Sequence, residues 1–335
     1  MTRKLTFLCL LLTSLISCSR QQALLPISVI PQTVEVEFKK GSFKFDPNTK
    51  LIYQDEILNF PVQYAAKLWE PILGPTLKIE KVNDFEGKKS IILNLFENEE
   101  PKIGDEGYVL EINPEKVILS ANTPAGILYG IQTITQLMDS EKAGIMPACK
   151  IIDYPRFAYR GMHLDVSRHF MPIRFIYKMM DYMAMHKLNV FHWHLVDDQG
   201  WRLEIKKYPK LTGVGAWRVD MSHLDWNERP LINDPENATY GGFYTQDEVR
   251  ALVAYAAERN ITVMPEIEMP AHVMSALAAY PEFSCTGENL GVPPGGVWPI
   301  THIYCAGKDE TFQFLEDVLT EVMELFPSDL SLIHI

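Results

Sequence analysis

The chain has 335 residues, which is long enough to bury the cores of two domains. Hydrophobic residues make up 47% and charged residues 22% of it, which is ordinary for a globular protein, and the formal net charge is −12. This acidic balance excludes a nucleic-acid-binding protein, because the chain has no basic stripe to neutralise phosphates. It is compatible with a neutral ligand or substrate.

The first residues predict a targeting segment, residues 1–18, and not part of the fold. Two basic residues precede the apolar run from Leu5 to Ile16, which is too short to anchor stably across a bilayer. The four residues that end at Cys18 resemble a bacterial lipobox, in which the cysteine becomes the lipid-modified first residue. We therefore expect an exported protein, lipid-anchored through Cys18 to a bacterial cell membrane on its periplasmic or cell-surface side. An ordinary signal peptide with an incidental cysteine is the alternative.

Residues 24–155 predict a small α+β domain. Short strands alternate with turns, and a helix follows in which Thr123 is the cap and Pro124 suits the first turn. The predicted strands are Val34–Phe38, Ser90–Leu95, and the two arms of a hairpin, Gly107–Ile112 and Lys116–Ala121.

Residues 156–335 predict alternating strands and helices, and hence a parallel sheet. The strands are expected at Tyr159–Val166, Asn189–Val196 and Ile261–Ile267 and near Leu332, with helices from about Pro172, Thr245 and Asp309. Inward-facing positions include a methionine-rich stripe on the first helix and Phe312, Leu315, Val318, Leu319 and Val322 on the last. Two long loops, 201–244 and 271–308, are rich in aromatic residues, proline and glycine, and we expect them to build a cleft.

Polar side chains follow the predicted strands, at the edge where a β/α barrel keeps its active site. Asp197 and His272 come from different strand ends, and a carboxylate beside a histidine can orient a catalytic group. Arg160 opens the first strand segment, and its planar guanidinium could hold two sugar hydroxyls at once. We expect these three residues to converge around one hollow of the size of an amino sugar.

His192 and His194 lie two apart on a strand, so both imidazoles face the same side. With Asp197 or Asp198 they could form a metal site, as in amidohydrolase-type barrels. The alternative is a set of inward-facing polar residues that are hydrogen-bonded to one another.

The cysteines leave one question open. In an exported protein Cys285 and Cys305 could form a disulfide, or both could be buried free thiols. Cys149 has the character of a lone core residue.

Three long motifs in order, Tyr159–Phe170, Asn189–Arg202 and Pro265–His272, resemble glycoside hydrolase family 20, the β-N-acetylhexosaminidases. The resemblance covers nearly all of the chain after the targeting segment. It implies a (β/α)8 TIM-type barrel, α/β in class, of which about the first four strands are present, preceded by the small α+β domain.

The resemblance also implies an activity. Family members remove terminal N-acetylglucosamine or N-acetylgalactosamine from glycans by a retaining mechanism in which the substrate's own acetamido oxygen attacks the anomeric carbon. It implies no metal and no cofactor, and a glycan as partner. Arg160 matches the arginine that holds the terminal sugar, and Asp197 and His272 match a pair that supports the catalytic carboxylates. Glu268 stands at an acidic position of the third motif, and Ala271 departs from the glycine usual before the histidine.

The end of the sequence departs further from the family pattern. His334 and Ile335 match the start of the fourth-strand segment that carries the catalytic Asp-Glu pair, which would lie beyond Ile335. We therefore expect residues 156–335 to be the N-terminal half of a catalytic barrel, without hexosaminidase activity of its own. Two other hypotheses stay open: a non-catalytic module that binds amino sugars, and a metal-dependent amidohydrolase-type barrel.

Overall fold

The structure, a computed structural model, describes residues 27–46, 48–75, 77–82, 88–138, 144–296 and 302–333. The targeting segment with Cys18, and the terminal His334 and Ile335, lie outside the described residues, so the predictions made on them stay predictions. Among the described helices, none is long and apolar enough to cross a bilayer.

The first unit is a mixed seven-stranded sheet with two helices. The sheet order is β1-β7-β5-β6-β4-β2-β3; the β1 to β5 side is antiparallel and the β4 to β3 side parallel. Both helices contact the sheet and each other, and bury the core of this unit. The elements are β1 Glu35–Lys44, β2 Lys50–Tyr53, α1 Asn59–Leu73, β3 Lys78–Lys81, β4 Ser90–Leu95, β5 Tyr108–Ile112, β6 Lys116–Ala121, α2 Pro124–Met138 and β7 Ile145–Asp153.

Local chemistry explains why the hairpin and α2 form where the sequence predicts them. The side-chain oxygen of Asn113 accepts hydrogen bonds from the backbone N–H groups of Glu115 and Lys116, each at 2.9 Å, and so closes the turn between β5 and β6. The Thr123 hydroxyl accepts the Ala125 N–H at 3.2 Å at the start of α2. Eleven of the fifteen residues of α2 are buried, so this helix is the centre of the unit's core.

The second unit contains three parallel strands in the order β14-β9-β8, and Leu332 forms a parallel bridge to Glu266 on the next position of the sheet. Helices alternate with the strands, so the predicted β/α alternation is present. The principal elements are β8 Gly161–Asp165, α3 Ile173–Met185, β9 Val190–His194, α5 Gln246–Ala257, β14 Thr262–Glu266 and α7 Asp309–Leu325. Smaller elements lie in the loops: β10 Val196–Asp197, β11 Gly200–Trp201, α4 Lys210–Gly213, β12 Trp217–Arg218, β13 Tyr240–Gly241 and α6 Met274–Ala279.

The helices of the second unit bury the faces that their sequence periodicity indicates, with one exception. Met179, Met180 and Met183 of α3 are buried, as the methionine stripe predicts. On α7 the residues Phe314, Val318 and Val322 are buried. Phe312, which we expected to face inward, is 51% exposed, because it lies two positions before Phe314 and therefore on the opposite side of the helix.

Two ion pairs join the units at the amino ends of the barrel strands. Arg160 pairs with Glu106 at 2.9 Å, and Lys187 pairs with Asp153 at 2.7 Å. Lys187 and Asn260 follow α3 and α5 in the left-handed backbone conformation, with φ of 58° and 56°. These turns aim both side chains at the first unit, where Asn260 donates to Glu106 and Lys187 to Asp153. We call these five residues the interdomain seam.

Candidate functional site

The site lies at the carboxyl edge of the three parallel strands. Asp197 follows β9 and His272 follows β14, and the structure brings the two together: Nδ1 of His272 is 3.2 Å from Oδ1 of Asp197. The same nitrogen is 3.4 Å from Oδ2 of Asp198. The side chain of Asp197 is completely buried, so its charge acts in a low-dielectric setting where its partners matter most.

Arg168, which follows the end of β8, is the cation that pairs with Asp197. Its guanidinium is 2.6 Å from Asp197 and 2.9 Å from Asp165, and its Nε donates to Gln199 at 2.9 Å. Asp165 in turn accepts the backbone N–H of Arg168 at 3.0 Å, which holds the loop. About a third of the Arg168 side chain is exposed, so the guanidinium faces the open cleft while it is held by the buried carboxylate.

The two adjacent aspartates have opposite pKa shifts. Burial acts to raise the pKa of Asp197, but the hydrogen bond of His194 and the charge of Arg168 outweigh it and lower the pKa. Burial raises the pKa of Asp198 to about 6, and the charge of Asp197 adds to this rise. One carboxylate is therefore firmly ionised, and its neighbour can carry a proton near neutral pH.

The backbone around His272 holds its imidazole beside Asp197 and Asp198. His272 has a φ of 57°, which a residue with a side chain adopts at a cost of about 1–3 kcal/mol, and such positions cluster at functional sites. Helix α6 begins two residues later. There the Met274 N–H donates to Asp198 at 3.1 Å, and the Ser275 hydroxyl donates to the carbonyl oxygen of Asp197 at 2.6 Å. The loop thus fixes the aspartates as well as the histidine.

Arg160 does not join this site, and our expectation that it would is wrong. It precedes β8 instead of following it, so it lies roughly 16 Å away along a five-residue strand, at the opposite edge of the sheet. There its guanidinium binds Glu106, the Tyr129 hydroxyl and the carbonyl oxygen of Phe157. It is a structural residue of the interdomain seam, and of the two arginines in the first motif only Arg168 reaches the site.

The predicted pair on β9 faces the inside of the sheet. His192 contacts Glu266, and Nε2 of His194 is 3.6 Å from the same carboxylate; the ring of His163 lies 4.6 Å from that of His192. His163, His194 and Glu266 are close enough to share an ion. Nε2 of His194 is also 3.0 Å from the carbonyl oxygen of Val196, which can only accept, so this nitrogen carries a hydrogen and offers no lone pair. The arrangement favours the hydrogen-bonded alternative.

The two long loops enclose a cleft of about 570 Å³ beside the site. A disulfide between Cys285 and Cys305 ties the second loop, which answers the question that the sequence left open. Cys149 is buried and free, as the sequence predicts. The residues that line the cleft include Arg168, Asp198 and His272 together with Arg218, Trp226, Arg229 and Tyr240.

Comparison with known families finds two matches in chain order. Residues 157–335 match glycosyl hydrolase family 20, catalytic domain, and residues 26–154 match glycosyl hydrolase family 20, domain 2. These matches confirm the resemblance that the three motifs indicate.

Similar proteins agree with these matches. A beta-hexosaminidase of Porphyromonas gingivalis is 37% identical over 97% of this chain and 42% of its own length, and one of Vibrio furnissii is 33% identical over 90% of this chain and 47% of its own. The chain thus spans less than half the length of these relatives. Among solved structures, beta-N-acetylhexosaminidase of Bacteroides fragilis has a TM-score of 0.71 at 34% identity, over 90% of this chain and 55% of that one.

A mutant Streptomyces plicatus beta-hexosaminidase in complex with its product, GlcNAc, has a TM-score of 0.77 at 32% identity, over 90% of this chain and 58% of that one. These neighbours bear out the predicted fold class, a TIM-type barrel present in part and preceded by an α+β domain. The chain belongs to glycosyl hydrolase family 20.

Proposed function

We propose that the protein is an exo-acting β-N-acetylhexosaminidase that removes terminal N-acetylglucosamine or N-acetylgalactosamine from glycans. The observation that carries the proposal is the contact of Asp197 with both His272 and Arg168 at the carboxyl edge of the barrel strands. The names of the related proteins support it, although each relative is much longer than this chain.

In this proposal Arg168 holds the hydroxyls of the terminal sugar, the role that we had expected of Arg160. A guanidinium offers paired donors for neighbouring hydroxyls, and the buried Asp197 keeps it charged and in place. Asp197 and His272 hold each other and Arg168 in position next to the reacting centre. We infer that these residues bind and orient the sugar, while its acetamido oxygen acts as the nucleophile. The resemblance assigns the proton-donating glutamate to a segment that the 335 residues do not include.

The test is calorimetric titration of the 335-residue chain with N-acetylglucosamine and, in parallel, with glucose. We expect heat of binding with the amino sugar only, and an affinity about tenfold weaker in Arg168→Met, which removes one charged hydrogen-bonding group. The matched control is Arg250→Met, on the exposed surface of α5, which should bind like the wild type.

Absence of any heat with N-acetylglucosamine would contradict the proposal for this chain. A second readout is the release of nitrophenol from 4-nitrophenyl N-acetyl-β-glucosaminide, where we expect binding without turnover. Turnover comparable to that of a full-length relative would refute the inference that the proton donor lies elsewhere.

We further propose that the protein is exported and anchored through a lipid on Cys18. The lipobox-like sequence and the disulfide support this, because disulfides persist in oxidising compartments. In a bacterial host, fractionation should find the wild type with the membrane and Cys18→Ala released from it. Equal membrane association of both would refute the anchor.

A further inference from the structure

The cleft beside the proposed sugar site contains arginines without carboxylate partners. Arg218 is 5% exposed, and its guanidinium donates to backbone carbonyl oxygens, those of Gln199 at 2.9 Å and Arg168 at 2.7 Å. Arg229 likewise donates to the carbonyl oxygens of Leu224 and Pro294. Within the described part of the chain, neither side chain has a carboxylate at ion-pair distance, in a protein whose formal net charge is −12.

A third arginine lies behind these two. Arg202 is completely buried, and among the described residues its guanidinium also donates only to carbonyl oxygens, among them those of Val166 and Ala216. Burial lowers the pKa of Arg202 to about 10, and the charge of Arg218 contributes to this lowering. Burial lowers the pKa of Arg218 to about 10 as well, and here the charge of Arg229 contributes. The positive charges of Arg202, Arg218 and Arg229 repel one another, and an anion beside them would relieve the repulsion.

Among the described residues, the nearest acids in the cleft form no ion pair with Arg218 or Arg229; the charge of Asp220 acts on Arg218 from a longer distance and raises its pKa. Asp220 is exposed, and its carboxylate accepts the backbone N–H of Ser222 at 3.0 Å. Asp198 is engaged by Met274 and His272. The positive charge that faces the cleft is therefore only partly offset by Asp220, and the remainder can act on a ligand.

Aromatic rings fix the two arginines that face the cleft. The guanidinium of Arg218 lies 4.6 Å from the ring centre of Tyr240, and that of Arg229 lies 5.1 Å from that of Trp226. The Tyr240 hydroxyl is itself hydrogen-bonded to His169 at 2.8 Å. Guanidinium groups held in this way lose little freedom when an anion binds.

We propose that this cleft selects glycans that carry an acidic group, a sulfate ester or a sugar carboxylate, next to the amino-sugar position, with Arg218 and Arg229 as the residues that determine this specificity. The inference rests on the proposed function, because Arg168 and His272 line the same cleft and orient the sugar. Both acidic groups present the planar or tripodal oxygens that guanidinium groups bind.

The test compares three probes on the 335-residue chain by calorimetry: N-acetylglucosamine, N-acetylglucosamine 6-sulfate and N-acetylmuramic acid, whose carboxylate is the second anionic source. We expect at least one anionic probe to bind about tenfold more tightly than the neutral sugar at low ionic strength, and this margin to shrink when salt is added. The anionic probe that binds more tightly than the neutral sugar identifies whether the acidic group is a sulfate ester or a carboxylate.

Arg229→Met keeps the length of the side chain and removes its charge, and it should abolish the margin while leaving the affinity for neutral N-acetylglucosamine within about twofold. Arg218→Lys, which keeps the charge at a buried position, should retain part of the margin. Arg250→Met is the control for net charge.

A wild type that binds all three probes equally would overturn this inference and leave the proposed function standing, whereas no binding of any probe would overturn both. Equal losses in Arg229→Met and Arg250→Met would also overturn it.

Discussion

At the scale of single residues, position relative to the strand decides what a polar side chain can do. Arg160 and Arg168 flank the same strand, but only Arg168 follows its carboxyl end. The sequence contained this information, because strand direction follows from the chain and the other candidates were chosen by the same rule. What the sequence could not supply was the partner of Arg160, since Glu106 comes from the other unit and 54 residues away.

Replacing Arg160 tests this assignment. Arg160→Met should leave the affinity for N-acetylglucosamine within about twofold of the wild type. It should lower the free energy of unfolding by about 2 kcal/mol, because Glu106 would remain partly buried without its cation. Calorimetric titration and urea unfolding check the two outcomes. A large loss of sugar affinity without loss of stability would restore the original expectation.

Asp198 predicts a pH dependence of stability. Its pKa is about 6 in the folded protein against an ordinary 3.8, so the folded state binds the proton more tightly than the unfolded state. Ionisation of Asp198 therefore lowers the free energy of unfolding as the pH rises from about 4 to 6, by up to about 3 kcal/mol. Asp198→Asn removes this contribution, so the variant should gain stability relative to the wild type across that window.

Urea unfolding of both proteins at pH 4.0, the lower end of the window, and at pH 7.0, about one unit above its upper end, measures this gain. Comparing the two proteins cancels the contributions of ionisable groups far from Asp198, which the proteins share. A difference in stability that does not change between the two pH values would contradict the assigned pKa.

At the scale of elements, the residues at the start of a helix show in the sequence where that helix begins. The Thr245 hydroxyl accepts the Glu248 N–H at 3.2 Å, and the Glu248 carboxylate accepts the Thr245 N–H at 2.9 Å. This capping box starts α5 where the sequence predicts a helix. Thr245→Ala should lower the free energy of unfolding by about 1 kcal/mol.

The matched control is Thr320→Ala on the exposed side of α7, where the hydroxyl donates to the carbonyl oxygen of Glu316 within the helix. Its loss should change stability by less than about 0.5 kcal/mol. Thermal unfolding of the three proteins makes the comparison. Equal effects of the two substitutions would show that the box contributes nothing beyond a surface hydroxyl.

Elements without such signals escaped the sequence analysis. Helix α1 contains Pro61 and Pro71, which indicate a break, yet Pro61 lies in the first turn and Pro71 in the last. Strand β7 pairs with β1 and β5, and both of these strands are distant from it along the chain. Long-range pairing of this kind depends on tertiary contacts that periodicity within one segment does not encode.

At the scale of the whole molecule, the interdomain seam couples two separately cored units. Lys187 is buried between Asp153, Tyr108 and Thr133, all at 2.7 to 3.0 Å from its Nζ. Burial lowers its pKa, and Asp153 opposes this shift. Removing the lysine strands a buried carboxylate, an effect typically worth about 3–5 kcal/mol.

Lys187→Met should therefore weaken the junction. We expect a single unfolding transition in the wild type to separate into two in the variant, because each unit has its own core and loses one of its ion pairs with the other. Scanning calorimetry shows the number of transitions. Retention of one transition at an unchanged temperature would mean that the units are held by other contacts.

The seam also limits how such barrels can be recombined. A barrel grafted onto a foreign amino-terminal unit would carry Arg160 and Lys187 to a new neighbour while Glu106 and Asp153 stayed behind. Chimeras should therefore exchange the five residues of the interdomain seam, Asn260 included, as one set. A crossover placed between the units without them would leave mismatched charges at the junction.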